Sequence, residues 1–263
     1  MEIIKGNEAF ERINDEMKFS YVKYFIQQNG TLYHGKWKNR SQRPMTLSEL
    51  DDVQEIQTLD RGPAINNTWS TIYIKQPSLL SYADRCDLSQ RIHREVTVCE
   101  ILRNNPHPNI AVYYGCQETR GRVSGLCFKR YTETLLERVN PQHLNKEGFR
   151  RSGRELVDEM VRAGLDGVRE GIKHLHSLGW VHNDINPANV MFDGGGGGDG
   201  RVVIVDFDSC RRVGECLRGT ETKRTHQWHN PGVERAVEKN DLDAWEELRI
   251  WLVGEVDEGF LFG

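Results

Sequence analysis

The stretch Val181-His182-Asn183-Asp184-Ile185-Asn186-Pro187-Ala188-Asn189-Val190 carries the densest chemistry in the chain. It sets a histidine, an aspartate and an asparagine at H-x-D-x-x-x-x-N spacing, with a valine at each end. Downstream, the apolar run Val202-Val203-Ile204-Val205 leads into Asp206-Phe207-Asp208, and Asp206 lies seventeen residues beyond Asn189. Upstream, residues 154–177 read as one long amphipathic helix. Met160, Val161, Leu165, Val168, Ile172 and Leu175 recur there mostly at steps of three and four. Gly179 suits the C-terminal stop of that helix. Strands are expected at Val190–Phe192 and Val202–Val205, joined by an insertion that contains the glycine run Gly194–Gly198. That run lacks the Lys-Ser/Thr of a phosphate-binding loop and opens no helix, so it reads as a flexible connection.

Helix, polar loop, hairpin and acidic loop in this order suit phosphoryl transfer. Such chemistry needs the γ-phosphate charge neutralised and the attacking hydroxyl held in line. Asp184 is placed to take the proton of an acceptor hydroxyl. Asn189 and Asp206 supply oxygens of the kind Mg2+ prefers. His182 is expected to be structural, packing near Phe207. A lysine for the α- and β-phosphates, and a helix glutamate to pair with it, should lie upstream. Lys75 ends the β-branched and aromatic run Thr71-Ile72-Tyr73-Ile74-Lys75, which stops at Pro77 and reads as a strand. Leu88–Leu102 has helical spacing and carries two candidates, Glu95 and Glu100. Glu95 is favoured, because Glu100 lies closer to the helix end.

The rest of the chain sets limits. Its 263 residues suffice for one large domain or two small lobes, and 37% hydrophobic with 28% charged residues describes a globular chain. The formal charge of −4, from 35 basic and 39 acidic residues, argues against a general nucleic-acid binder. No apolar run approaches the roughly 20 residues of a membrane helix, and the charged N-terminus has no signal-peptide core. No membrane or nucleic-acid partner is therefore expected. The cysteines Cys86, Cys99, Cys116, Cys127, Cys210 and Cys216 form no CxxC pair and read as reduced thiols, which places the protein in the cytoplasm or nucleus. The pairs His174/His176 and His226/His229 lack further partners at zinc-ligand spacing. Residues 1–50 are weakly patterned. A helix is expected around Glu8–Gln28, a turn at Gly30–Gly35 and a surface strand at Lys36–Lys38. Short strands are expected near Ile110–Tyr114 and Val123–Tyr131 with a turn at Thr119–Gly121, and a helix over Asp241–Val253.

These segments together resemble the protein kinase superfamily, and more narrowly the small kinase-like proteins of filamentous fungi. The resemblance runs through Ile72–Pro77, His107-Pro108-Asn109-Ile110, Tyr114-Gly115-Cys116, Gly125–Phe128, Gly171–His176, the His182–Val190 loop, Asp206–Cys210 and Asn240-Asp241-Leu242. It implies an α+β, bilobal fold: a small β-rich lobe with hinge over 51–131 and a mainly helical lobe over 132–263, truncated after helix F, behind an extension of uncertain fold at 1–50. It implies ATP and Mg2+ as cofactors. It further implies a hinge at Lys129–Tyr131 that contacts adenine through backbone groups, with Phe128 as gatekeeper. Asp241 would match the buried aspartate that braces the catalytic loop.

The sequence also departs from the family pattern. No G-x-G-x-x-G precedes Lys75, and Gly62 is the only glycine from residue 51 to 75. Asn183 replaces the arginine that pairs with an activation-loop phosphate, so activity should not depend on phosphorylating Thr220, Thr222 or Thr225. Asn186 stands where a lysine touches the γ-phosphate, and Asp208 replaces the glycine of D-F-G. No A-P-E follows. Three readings stay open: a Ser/Thr-type protein kinase, a small-molecule kinase, and a pseudokinase that acts as a binding module. The phosphate acceptor, protein or small molecule, is not named by the sequence.

Overall fold

The computed structural model describes residues 1–13, 16–55, 72–76, 88–119, 122–194, 201–218, 220, 222–255 and 257–262. Gly62, Pro77, Cys86, the Arg120-Gly121 turn and most of the glycine run lie outside the described residues. The chain divides into two compact units, one from Met1–Ile65, Ile74–His93 and Cys116–Leu126, the other from Asn66–Tyr73, Arg94–Gly115 and Cys127–Gly263.

The first unit opens with β1 (Glu2–Ile13), β2 (Glu16–Gln28), β3 (Thr31–Trp37) and β4 (Asp51–Glu55), an antiparallel sheet in that order. This corrects the helix expected at Glu8–Gln28. Glu, Arg and Lys in that stretch are good helix formers, but Val22, Tyr24 and Ile26 recur at steps of two. Together with Leu50 they form one buried cluster. Thr31–Gly35, expected to be a turn, is strand as well. The reversal is confined to Asn29-Gly30, at φ 52° and 77°, between the paired residues Gln28 and Thr31. Positive φ at both positions is the geometry of a two-residue hairpin whose twist matches its strands.

The next strand is β5 (Ile72–Lys75), and α1 (Leu88–Asn104) follows it. Then come β6 (Tyr113–Thr119) and β7 (Arg122–Lys129), and these three strands form a sheet in the order β5-β7-β6. The strand expected at Ile110–Tyr114 starts three residues later. Ile110 instead pairs with Ile204 in a parallel bridge, which takes it out of the β6 ladder. β7 stops at Lys129, short of Tyr131.

In the second unit α2 (Leu135–Val139) and α3 (Lys146–Arg151) precede α4 (Glu159–Ser177). The long helix begins at Glu159 rather than 154. Asp158 caps it by accepting the Val161 N–H at 2.8 Å, and Arg154 sits at φ 52°, where a right-handed helix cannot run. Val161, Leu165, Val168, Ile172 and Leu175 of α4 are all buried, so the apolar stripe seen in the sequence is the core face. β8 (Trp180–Val181), β9 (Val190–Phe192), β10 (Val202–Ile204), β11 (Arg211–Arg212) and α5 (Glu238–Val253) complete the unit. β9 pairs with β10 and β8 with β11, both antiparallel. α5 begins three residues before Asp241, so Asp241 lies in its first turn.

Two features position β10, and through it the acidic loop. A Cβ on Gly171 would meet the Asn109 carbonyl oxygen at 2.9 Å and Ile204 Cδ1 at 3.0 Å, so only glycine lets α4 approach this closely. Asn109, from His107-Pro108-Asn109-Ile110, donates its side-chain amide to the Val202 carbonyl at 2.8 Å, and its own carbonyl accepts the Ile204 N–H at 2.9 Å.

Candidate active site

The loop between β8 and β9 is built around one carboxylate from α5. Asp241 is fully buried and accepts the backbone N–H groups of His182 and Asn183 at 2.8 and 2.7 Å. The His176 Nε2 lies 2.9 Å from the same side chain. A buried carboxylate persists only with such partners. Here they tie α4, the loop and α5 at one point. The two amides converge because Asn183 takes φ 63°, in the left-handed region that asparagine tolerates better than most residues. Its side chain is fully engaged. The amide donates to the carbonyls of Val181 and Ser209 at 3.0 and 3.3 Å, and its oxygen accepts from Asn240 at 3.0 Å.

One residue on, Asp184 is buried and its two oxygens have separate partners. Oδ1 accepts the Thr225 N–H at 2.7 Å, and Oδ2 accepts Asn189 Nδ2 at 3.1 Å. Asn189 Nδ2 also donates to the Asp184 carbonyl at 2.9 Å, which fixes the amide orientation and leaves its oxygen as the acceptor on offer. Asn186 donates to the Thr225 hydroxyl at 3.1 Å and to the Asp184 carbonyl at 3.0 Å. Burial raises the Asp184 carboxyl above its ordinary value, and the negative charge of Asp206 adds to this. The Thr225 hydrogen bonds and the His182 charge oppose it without cancelling it.

Asp206 stands at φ 65° and ψ 79°, at the head of the short 3-10 turn Phe207–Ser209, and its side chain does not cap that turn. The His182 ring packs edge-on to Phe207 at 5.9 Å between centroids, and its Nε2 lies 3.1 Å from the Val205 carbonyl. The structure therefore brings Asp184, Asn189 and Asp206 together. Glu95 is buried in α1, and its charge adds to burial and to the charge of Asp241 in pushing the Cys210 thiol well up. Glu100 instead pairs with Arg103 of its own helix at 3.3 Å. Lys75 ends β5 half-buried, within the first unit. In the second unit, the Lys129 N–H donates to the Val112 carbonyl at 2.9 Å, and its Nζ pairs with Asp193 at 2.5 Å. The Tyr131 hydroxyl accepts the Val112 N–H at 3.1 Å, and burial pushes its pKa up to about 12.

Among the described residues no three His, Cys, Asp or Glu side chains cluster as a metal cage. Asp206 with the Asn189 oxygen offers two hard oxygen donors. That suits Mg2+, which keeps several waters and takes its remaining ligands from phosphate. Of the histidine pairs noted in the sequence, His174 stacks on His107 at 4.8 Å, and His229 Nδ1 lies 2.8 Å from the Thr225 carbonyl.

The family model for the protein kinase domain matches residues 66–251. The chain belongs to the protein kinase domain family. The human serine/threonine-protein kinase/endoribonuclease IRE2 is 31% identical over 48% of this chain and 12% of that protein. Mitogen-activated protein kinase kinase kinase 5 of Arabidopsis thaliana is 28% identical over 59% and 20%, and the serine/threonine-protein kinase SSK22 of Saccharomyces cerevisiae is 34% identical over 46% and 8%. The match spans a fifth or less of each of these relatives. The fold is the α+β kinase fold, with a β-rich first unit and a mainly helical second one. Among the described residues no helix is long and apolar enough to cross a membrane.

The structure gives two residues of this kinase domain contacts the sequence did not indicate: Asn186 donates to the Thr225 hydroxyl, and the Thr225 N–H donates to Asp184. No local signal marks Thr225, because its partner lies 41 residues away.

Proposed function

We propose that this kinase domain transfers the γ-phosphate of MgATP to a serine or threonine hydroxyl of a protein. The observation that carries this is the pairing of Asp184 with the Thr225 amide and Asn189, beside the charge of Asp206. Asp184 takes the hydroxyl proton as the new oxygen–phosphorus bond forms and the bond to the β-phosphate oxygen breaks, releasing ADP. Its elevated carboxyl makes it a better proton acceptor than an ordinary aspartate. Asn189 and Asp206 hold Mg2+, which when bound neutralises phosphate charge. Lys75, oriented by Glu95, holds the α- and β-phosphates. The Lys129 carbonyl and the Tyr131 N–H receive adenine, since the Lys129 N–H is already engaged by Val112. The buried thiols of Cys99, Cys116, Cys127 and Cys210, none of them joined in a disulfide, support a reducing, intracellular setting.

Calorimetry with MgATP, paired with transfer of labelled phosphate to a generic protein acceptor, tests this reading. ATP is expected to bind, and Mg2+ to strengthen binding, because without metal Asp206 faces phosphate oxygens of like charge. Asp206→Asn should abolish the Mg2+ effect and transfer together, and Lys75→Met should weaken ATP itself. No binding at millimolar ATP would leave only the pseudokinase reading. Binding and hydrolysis without transfer to protein would favour a small-molecule acceptor.

Activity is also expected to be independent of loop phosphorylation. The Asn183 side chain is engaged by Val181, Ser209 and Asn240 and cannot form the bidentate charged pair that arginine gives a phosphate. Replacing Thr220 and Thr222 with alanine should leave turnover within a few-fold. Thr225 must stay, since it belongs to the Asp184 network. A loss of about a hundredfold, as when a charged pair is needed to order a loop, would overturn this.

A further inference from the structure

The segment that delivers Thr225 to Asp184 is strongly basic. Lys223, Arg224, His226 and His229 fall within seven residues, and no acidic residue lies between Thr222 and Glu234. Thr225 is held on both sides, its N–H by Asp184 Oδ1 at 2.7 Å and its carbonyl 2.8 Å from His229 Nδ1. Arg224 and His226 flank it in the chain, so the backbone itself carries their charges to the candidate base. The far end of the segment is anchored, since Trp228 is buried edge-on against Trp251 with Lys146 Nζ 4.3 Å above its ring.

Arg224, like Arg154, hydrogen-bonds only to backbone carbonyls. Arg138, Arg150, Arg211, Arg218 and Arg249 each have a carboxylate partner. Arg224 has no carboxylate within ion-pair distance among the described residues. Its guanidinium makes two long contacts, to the Asn230 and Val233 carbonyls at 3.4 Å each. Burial lowers its pKa, and Asp184 is the one charged group that acts against this. His229 is likewise lowered by burial and by the charges of Arg224 and His226. A half-buried guanidinium with no carboxylate at ion-pair distance among the described residues, in a run of basic residues beside Asp184, is placed to receive an anion.

We propose that the acceptor carries an anionic group, a carboxylate or a phosphate, adjacent to the hydroxyl it presents, and that Arg224, supported by His226 and His229, holds that group. The inference rests on the protein-acceptor reading above and names the substrate class of that site. An acidic neighbour would give Arg224 the charged partner it lacks and would set the hydroxyl beside Asp184. A basic neighbour would face like charge.

Binding is the decisive measurement, because it does not require turnover. Fluorescent peptides with alanine at the acceptor position, and glutamate, phosphoserine, alanine or lysine on either side of it, are titrated into the full chain by anisotropy. The glutamate and phosphoserine peptides are expected to bind about tenfold more tightly than the alanine peptide, as a charge-assisted hydrogen bond allows. The lysine peptide should bind worst, and the preference should shrink at high salt. Arg224→Gln should remove most of the preference and Arg224→Lys should keep part of it, which separates loss of charge from misfolding. Competition by inorganic phosphate tells a phosphate-selective site from one that accepts carboxylates. Equal binding of acidic and neutral peptides, no binding of any peptide, or a preference that survives Arg224→Gln would overturn the proposal. A preference that disappears in the Thr220→Ala/Thr222→Ala protein would also overturn it, since the anion would then belong to the loop. Failure of MgATP-dependent transfer with the acid preference intact would instead strike the catalytic reading alone.

Discussion

Asp184→Asn is expected to keep ATP binding and to lose phosphoryl transfer by about 10²–10⁴-fold, the usual contribution of a positioned general base. The substitution keeps the shape of the side chain and an oxygen for the Thr225 N–H. It sets an amide N–H where Oδ2 accepts from Asn189, so that contact is lost, while Asn189 keeps its bond to the Asp184 carbonyl. Nothing that would hold the nucleotide is removed. A fall in kcat with little change in the KM for ATP is the signature, and calorimetry with MgATP checks it independently. Equal loss of binding and turnover would show that Asp184 supports the site rather than the proton transfer.

The same residue predicts a pH dependence with a definite sign. Its carboxyl is raised from the ordinary 3.8 chiefly by burial, with Asp206 adding to the shift. The acidic limb of the wild-type rate profile should therefore fall at a pH above that ordinary value. For stability, a carboxyl raised by folding favours the protonated form. Its contribution is full below the unfolded value and is lost as pH rises through the folded one. At neutral pH the ionised, buried Asp184 thus costs stability. Asp184→Asn should melt no lower than wild type by more than the lost Asn189 contact, and the difference should move in the variant's favour as pH rises from acid to neutral. Melting curves at several pH values test this, and a variant that gains stability only in acid would contradict it.

Asp241→Ala is expected to be the most destabilising single change near the site. The carboxylate is fully buried and has three partners, the N–H groups of His182 and Asn183 and the His176 ring. Alanine leaves both amides unpaired in a dry interior and releases the left-handed turn at Asn183. Breaking a buried, hydrogen-bonded charge of this kind costs about 3–5 kcal/mol. In a unit of this size that corresponds to a melting shift of roughly 10 °C. Asp241→Asn retains one acceptor oxygen and should fall between. Scanning calorimetry measures all three proteins, and a shift of Asp241→Ala within a degree or two would mean that the loop holds itself.

Much of the candidate site was legible in the residues alone. The spacing from His182 to Asn189 and on to Asp206 survives in the structure as one loop, one hairpin and a second loop. The reason is that each is local: a polar turn bounded by apolar strands, with α4 marked by its stripe from Val161 to Leu175. The pairing of Asp184 with Asn189 follows from their closeness in sequence. Tertiary structure decided the rest. The stretch expected to be helical carries helix-forming side chains, yet Glu2–Ile13 and Glu16–Gln28 pair as strands because Val22, Tyr24 and Ile26 can be buried together with Leu50 only on one face of a sheet. Asn183 and Asn186 looked like losses against the family pattern. Their roles as links to Asn240 and Thr225 depend on partners 57 and 39 residues away, whose approach no local period records. The place of Lys223–His229 beside Asp184 is likewise set by the hydrogen bond from the Thr225 amide, which joins residues 41 apart in the chain.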